Sequence, residues 1–197
     1  MTNWLKTRRA KMIFLWIAGM AVLSALLGQR VVELPAVLGG GSSSTPWAIF
    51  LPLPVVIALA HGLSSRARAV EAACHRSIGR WDAALVAGTV MLSALALGAA
   101  AVATDGMPAL AVRNLMLLSG TAAVLTALHS AEAGAGAIAL VVVLTNSIGP
   151  SVRGSGHLRV MQAPADDLWS WLLASAALLA AIALLVRDPR PTRHVGR

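Results

Sequence analysis

The sequence is short of the residues that build disulfide frameworks, metal centres and water-facing surfaces. Cysteine occurs once, at Cys74, tyrosine is absent, and only 12% of the 197 residues are charged. A single thiol excludes an internal disulfide and any metal site made of several thiolates. So few charged residues could not cover a soluble domain of this length. A disulfide framework and an ordinary soluble domain are therefore both excluded.

Motifs that bind phosphate or carry out hydrolysis are also missing. The sequence contains no GxxxxGK[ST] loop, so the chain is not itself an ATPase of that class. It also contains no GxSxG, no HExxH and no Cys/His cluster. An enzyme would have to assemble Ser64 or Ser65 with His61, His129 and Glu132, and nothing in the sequence requires that arrangement.

The residues in excess are apolar, and they occur in long runs. Hydrophobic residues make up 57% of the chain, and its mean hydropathy is +0.75. Runs long enough to cross a hydrocarbon core of about 30 Å cover residues 12–28, 47–63, 83–104, 107–128, 133–148 and 168–186. Their Ala, Leu and Val content favours closely packed helices. The sequence therefore predicts an all-α membrane protein, a bundle of about six transmembrane helices that forms one domain over residues 1–197.

The sixteen Lys and Arg residues are distributed unevenly between these runs. The segments before span 1, between spans 2 and 3, and after span 6 hold twelve of them: Lys6, Arg8, Arg9, Lys11, Arg66, Arg68, Arg76, Arg80, Arg187, Arg190, Arg193 and Arg197. With six spans these segments share one side of the membrane, which the positive-inside rule makes cytoplasmic. Both termini are therefore predicted to be cytoplasmic. Because no basic run is interleaved with aromatics, nucleic acid is not an expected partner.

The connection between spans 2 and 3 has the pattern of a short amphipathic helix. Residues 64–81 read SSRARAVEAACHRSIGRW, with two serines suited to cap a helix and no proline. Val70, Cys74 and Ile78 recur every four residues and would form one apolar stripe. Two interpretations stand equally: a basic loop that rests on anionic lipid, or a docking element for a soluble partner.

Polar residues inside the spans are the other candidates for function, because hydrocarbon makes them costly. Arg113 and Asn114 lie one to two turns into span 4 from its external end. Arg113 could extend outward toward Asp105. Alternatively, Arg113 and Asn114 face an outward-open cavity that receives an anionic or polar substrate, with Asn146 and Ser147 lining the same translocation path.

The external connections and two prolines give further local predictions. Residues 31–38 are apolar enough to lie on the membrane surface, and residues 40–44, GGSSS, predict a flexible connector. The segment 147–167 is the largest external loop. Pro52 and Pro54 are expected to kink span 2.

Three stretches of sequence carry a resemblance to a known family. The basic segment with Glu71 lies between spans 2 and 3, AVRNLMLLSGTAAVLTAL covers residues 111–128, and MQAPADDLWSWLLASAALL covers residues 161–179. Together with the six-span pattern, they resemble the permease subunits of bacterial type-2 ABC exporters. The likeness is closest to the small Ala- and Leu-rich actinobacterial forms that accompany antibiotic and lantibiotic clusters.

This resemblance implies a transport subunit of the bacterial cytoplasmic membrane with no catalytic, cofactor or metal site of its own. Two permease chains, identical or related, would pair, and each would dock a separate ATPase that binds ATP and Mg²⁺. The docking contact would be a coupling helix that contains Arg66, Arg68, Glu71, Arg76 and Arg80. The expected cargo is a hydrophobic or amphipathic compound, such as an antibiotic, peptide or lipid, and the expected role is export and antibiotic resistance.

Other classes of protein share the six-span pattern. A substrate-binding membrane subunit of a vitamin-type importer would use small residues of span 1, such as Ala21 and Ala25, to meet a separate scaffold. A small intramembrane enzyme would use His61 or His129 as its acid or base. An assembly or immunity protein would need neither ATP nor a ligand.

Overall fold

Helices make up most of the structure, a computed structural model that describes residues 5–6, 8–27, 30–35, 42–64, 78–103, 108–147 and 160–187. In chain order the elements are α1 (Ala10–Leu27), β1 (Val31–Pro35), β2 (Ser42–Pro46), α2 (Leu53–Ser64), α3 (Ile78–Ala103), α4 (Pro108–Leu128), α5 (Ala131–Ser147) and α6 (Leu168–Arg187). A single 3₁₀ turn, Trp47–Ile49, leads from β2 toward α2.

Five of these helical segments are long and apolar enough to cross a membrane. They are α1, α3, α4, α6 and the segment Trp47–Ser64 that contains α2, with mean hydropathies between 1.4 and 2.2. Helix α5 has 17 residues, which at 1.5 Å per residue gives roughly 25 Å. The described part of the chain is therefore a helical bundle with the dimensions and composition of a membrane-spanning protein. Six complete crossings stay a prediction.

Helix α2 differs from the predicted span 2 in where it begins. The span was predicted from residue 47 with a kink at Pro52 and Pro54, but the helix starts at Leu53. A proline in the first turn needs no backbone N–H partner, because that N–H would have no acceptor within the helix. Pro52 therefore lies just before the helix and Pro54 is its second residue, so neither proline interrupts α2 and the predicted kink is wrong.

An antiparallel hairpin stands where a membrane-surface segment and a flexible connector were expected. The pairing of β1 with β2 runs from Val31 opposite Pro46 to Pro35 opposite Ser42. The β-branched Val31, Val32 and Thr45 favour strands. An isolated two-stranded hairpin is only marginally stable in water, so this one depends on contacts with the rest of the protein. Both strands touch α5. Buried Thr45 also accepts a hydrogen bond from Gln162 (3.2 Å).

Helix α4 is the centre of the bundle. It contacts α2, α3, α5 and α6, and its closest association is with α6. Over an 18-residue apolar stretch of each span, 56% of the residues are buried inside the protein in α4 and in Trp47–Ser64, compared with 22–28% in α1, α3 and α6. Because α1, α3 and α6 expose apolar side chains such as Leu15, Leu95 and Leu179, they form the face that lipid would cover.

The α4–α6 contact depends on the absence of a side chain at Gly120. A Cβ placed on Gly120 would lie 2.5 Å from the carbonyl carbon of Ala177 and 2.6 Å from the backbone nitrogen of Leu178. The neighbouring atoms belong to a helix backbone, which cannot rotate away as a side chain can. Small residues permit such approaches in membrane helices, where packing is a main attraction between helices.

We expect Gly120→Ala to destabilise the protein, because α4 and α6 must separate to admit the methyl group. Overpacking of this kind costs about 1–3 kcal/mol, which would lower the thermal midpoint of the purified protein in detergent. Gly136→Ala is the matched control, since a Cβ on Gly136 meets no atom within 4 Å. Equal midpoints for the two variants would contradict the proposed tight contact.

Candidate functional site

The structure describes only some of the residues predicted to act in docking or transport. Arg66, Arg68, Glu71 and Arg76, and with them most of the predicted amphipathic helix, lie outside the described residues. The end of that predicted helix, from Ile78, belongs to α3, and Arg80 is exposed on the first turn of α3. Asn146 and Ser147 end α5, and their side chains lie outside the described part of the chain.

A buried ion pair lies where the first residues of the chain meet α2 and α3. The guanidinium of Arg8 donates from Nε to Oδ1 of Asp82 (2.9 Å) and from Nη2 to Oδ2 (3.0 Å). Both side chains have 0% exposure. The parallel geometry suits the planar guanidinium, and the full burial makes each charge dependent on the other.

The same arginine also reaches the end of α2. Its Nη1 donates to the backbone oxygen of Leu63 (3.4 Å). This is one of the last carbonyls of α2, for which the helix itself supplies no N–H donor. A Cβ on Gly62 would lie 2.6 Å from the backbone oxygen of Arg8, so the chain passes directly over this glycine. We call Arg8, Leu63 and Asp82 the basal clamp. It joins the N-terminal segment, the end of α2 and the start of α3.

A second polar cluster lies at the opposite end of the bundle, around Arg113 of α4. Nη1 donates to the backbone oxygen of Pro164 (2.7 Å), and Nη2 donates to those of Ala163 (2.9 Å), Val160 (3.0 Å) and Met161 (3.3 Å). Asn114 Nδ2 donates to the same Met161 oxygen (3.0 Å). These two buried side chains thus bind the backbone of the segment that leads into α6.

The sequence raised two roles for Arg113, and the structure gives its contacts. The expected acceptor Asp105 lies outside the described residues, and the observed acceptors are backbone carbonyls. Arg113 Nε and Asn114 Oδ1 are buried and have no hydrogen-bond partner among the described residues. A translocation path through Arg113, Asn114, Asn146 and Ser147 stays a prediction.

Asp167 completes this cluster by capping α6. It stands just before Leu168, and its Oδ2 accepts from the backbone N–H (3.0 Å) and the hydroxyl of Ser170. These hydrogen bonds hold the pKa of the Asp167 carboxyl below its ordinary value, and the positive charge of Arg113 acts in the same direction. An N-terminal carboxylate cap of this kind also interacts favourably with the helix dipole.

The histidines proposed as an acid or base do not form a metal centre in the described part of the chain. His61 is exposed in the last turn of α2, and His129 is exposed in the turn after α4. Among the described residues there is no group of three or more His, Cys, Asp or Glu side chains that could hold a metal ion. The positions of these two histidines do not test whether the chain is an enzyme.

Sequence reasoning identified Arg113 and Asn114 but not Arg8 or Asp82. Arg8 was counted only as one of several positive charges before span 1. The missed signal is an acidic residue, Asp82, at the beginning of an otherwise apolar run. A buried acid in such a position needs a cation nearby.

No protein-family model matches the chain, no curated protein matches it, and no solved structure matches it. What the chain does is therefore inferred from its own residues.

We expect Asp82→Asn to destabilise the protein strongly, because it leaves the buried guanidinium of Arg8 without a counter-charge. Breaking one partner of a buried pair costs about 3–5 kcal/mol. Arg80→Gln, two residues away and exposed, is the control and should leave the thermal midpoint unchanged. A double replacement, Arg8→Met with Asp82→Leu, should recover much of the loss, and a midpoint as low as that of Asp82→Asn would contradict the pairing.

A second prediction concerns Arg113 and uses Met161, which has 0% exposure. In a Cys74→Ser background, the variant Met161→Cys carries one thiol at this buried position. That thiol should react slowly with a water-soluble thiol reagent. Adding Arg113→Ala removes this donor from the carbonyls of Val160, Ala163 and Pro164 and leaves Met161 with its bond from Asn114. A carbonyl that is buried without a partner costs about 1–3 kcal/mol. Labelling should then become at least about tenfold faster. Arg30→Ala, an exposed arginine beside the hairpin, should leave the rate unchanged, and equal rates in both variants would contradict the proposed role.

Proposed function

We propose that this chain is the membrane-spanning permease subunit of an ATP-driven ABC transporter of the bacterial cytoplasmic membrane. In this proposal it exports a hydrophobic or amphipathic compound, and ATP and Mg²⁺ bind a separate ATPase chain. Both termini and the basic segment 65–77 face the cytoplasm, and two permease copies, identical or related, pair around the transport path.

The observation that carries the proposal is the position of the basal clamp. Ser64 ends α2 and Ile78 begins α3, so the thirteen residues between them leave from helix ends that are bound to one another through Leu63, Arg8 and Asp82. A docking element transmits a displacement only if the helix ends to which it is attached are held rigidly. A bidentate buried ion pair supplies such a rigid base.

The composition of segment 65–77 supports a protein partner at this base. It carries Arg66, Arg68 and Arg76 together with Glu71. Anionic lipid would be served by cations alone, whereas a mixed set of charges can pair with a complementary protein surface and fix its register. In this proposal Arg66, Arg68, Glu71, Arg76 and Arg80 form the ATPase-docking surface.

The helix contacts of the bundle support the proposal that a movement at one end can be transmitted to the other. The clamp stands at the end that would meet the ATPase, and Arg113 holds residues 160–164 at the other end. Both clusters attach to helices that contact one another, because α3 and α4 are neighbours. A displacement at the base therefore has a packed route to the segment around Arg113.

The test is a pull-down of the tagged chain from its native membrane in mild detergent, with partners identified by mass spectrometry. We expect an ATPase with a phosphate-binding loop to co-purify, and we expect Glu71→Ala with Arg76→Ala to lower its recovery at least about tenfold, the effect of losing 1.4 kcal/mol or more.

Arg187→Ala is the matched control, because Arg187 is an exposed arginine at the same end of the bundle but outside segment 65–77. Recovery should be unchanged in this variant. Isolation of the chain alone, or only with copies of itself, would overturn the transporter proposal.

A further inference from the structure

An apolar groove runs along the outside of the bundle between α1 and α3. Its volume is about 190 Å³, and it begins near Leu5 and Trp81 and continues past Phe14, Leu85 and Leu92. Gly88 lies in its wall, and a Cβ built on Gly88 meets no atom within 4 Å. The groove therefore owes its depth in part to the missing side chain at this position.

The groove has a positively charged mouth. Lys6, Arg9 and Lys11 are exposed and stand next to its lining residues Leu5 and Ala10 in the chain. Arg80, also exposed, precedes the lining residue Trp81. The acid on the first turns of α3, Asp82, is buried and paired with Arg8. In the described part of the chain no acidic residue lines the groove, so the positive charge at its mouth can meet a negatively charged ligand from outside the protein.

Size and chemistry together select the occupant. Small-molecule sites usually have volumes of about 300–1,000 Å³ with several placed polar groups, and this groove is smaller and lined almost entirely by apolar side chains. It can admit part of one narrow hydrocarbon chain, the rest of which would lie along the lipid-facing surface. A hydrocarbon chain that ends at a cluster of cations needs an anionic head group, which is the structure of an acidic phospholipid.

We propose that the groove between α1 and α3 binds one acyl chain of an anionic phospholipid, whose head group is held by Lys6, Arg9 and Lys11. Trp81, in the first turn of α3 beside this head group, would then supply an indole of the kind that is enriched at membrane interfaces. This proposal requires only that the bundle sits in a membrane, and it is independent of the transport proposal.

The test uses the purified full-length chain in mild detergent, titrated with dioleoyl phosphatidylglycerol or dioleoyl phosphatidylcholine and measured by native mass spectrometry. The two lipids have the same acyl chains, so only the head group differs. We expect one retained phosphatidylglycerol, with a preference over phosphatidylcholine on the order of tenfold. Equal retention of the two lipids would overturn the proposal.

Filling the groove should abolish this retention. Gly88→Leu places a side chain in the cavity, whereas Gly98→Leu is the matched control: it lies on the same helix, in equally open space, outside the groove. Ala84→Leu, on an exposed lining residue, is a second filling variant if Gly88→Leu does not fold. Retention that is unchanged in a folded filling variant, or lost in Gly98→Leu, would contradict the site.

Removing the positive charges at the mouth tests the contact with the lipid head group separately from the contact with the acyl chain. Lys6→Gln, Arg9→Gln and Lys11→Gln together should remove the preference for phosphatidylglycerol and leave the thermal midpoint unchanged, because Arg8 and the basal clamp are intact. If a second copy covers the groove instead, Phe14→Cys in a Cys74→Ser background would form disulfide-linked dimers in membranes at high yield. That result would overturn the lipid proposal.

Discussion

The buried pair of Arg8 and Asp82 is the interaction on which the base of the bundle depends. Both side chains are fully buried inside the protein, where either charge would be costly without the other. Because Arg8 precedes α1, Asp82 lies in the second turn of α3 and Leu63 in the last turn of α2, one guanidinium fixes the relative positions of three helices. The side chains that pack α1 against α3, and so shape the groove between them, inherit their alignment from this pair.

Each end of the bundle contains a buried arginine, and the two positive charges are balanced by different groups. At the basal clamp a charge is matched by an opposite charge. At Arg113, by contrast, the positive charge is surrounded by the partial negative charges of four carbonyl oxygens, and Asp167 contributes a more distant full charge. The first arrangement binds three helices to each other. The second binds a non-helical segment to the central helix, so residues 160–164 are held by Arg113 and Asn114 of α4.

Hydropathy alone located the helices, because each predicted span overlaps one of α1 to α6. The starts of α2 and α3 were less predictable, since Pro52 and Pro54 fit either a kink or a first turn, and the amphipathic pattern of residues 64–81 continued without a break into α3. The hairpin was missed because its GGSSS stretch is typical of linkers. Arg113 was recognisable by the cost of its position. Its acceptors, and the pairing of Arg8 with Asp82 across 74 residues, depend on the folded arrangement of the helices, which no local pattern encodes.

The sequence separation of these contacts has a consequence for how the chain assembles during synthesis. Arg113 and its acceptor Pro164 are 51 residues apart, so at translation rates of about 5–20 residues per second Arg113 exists for roughly 3 to 10 seconds before that carbonyl is made. During this interval the guanidinium must stay with water, head groups or the insertion machinery. Helix α4 therefore takes its final place only after the chain has come back to it. The centre of the finished bundle is then among the last parts to be completed.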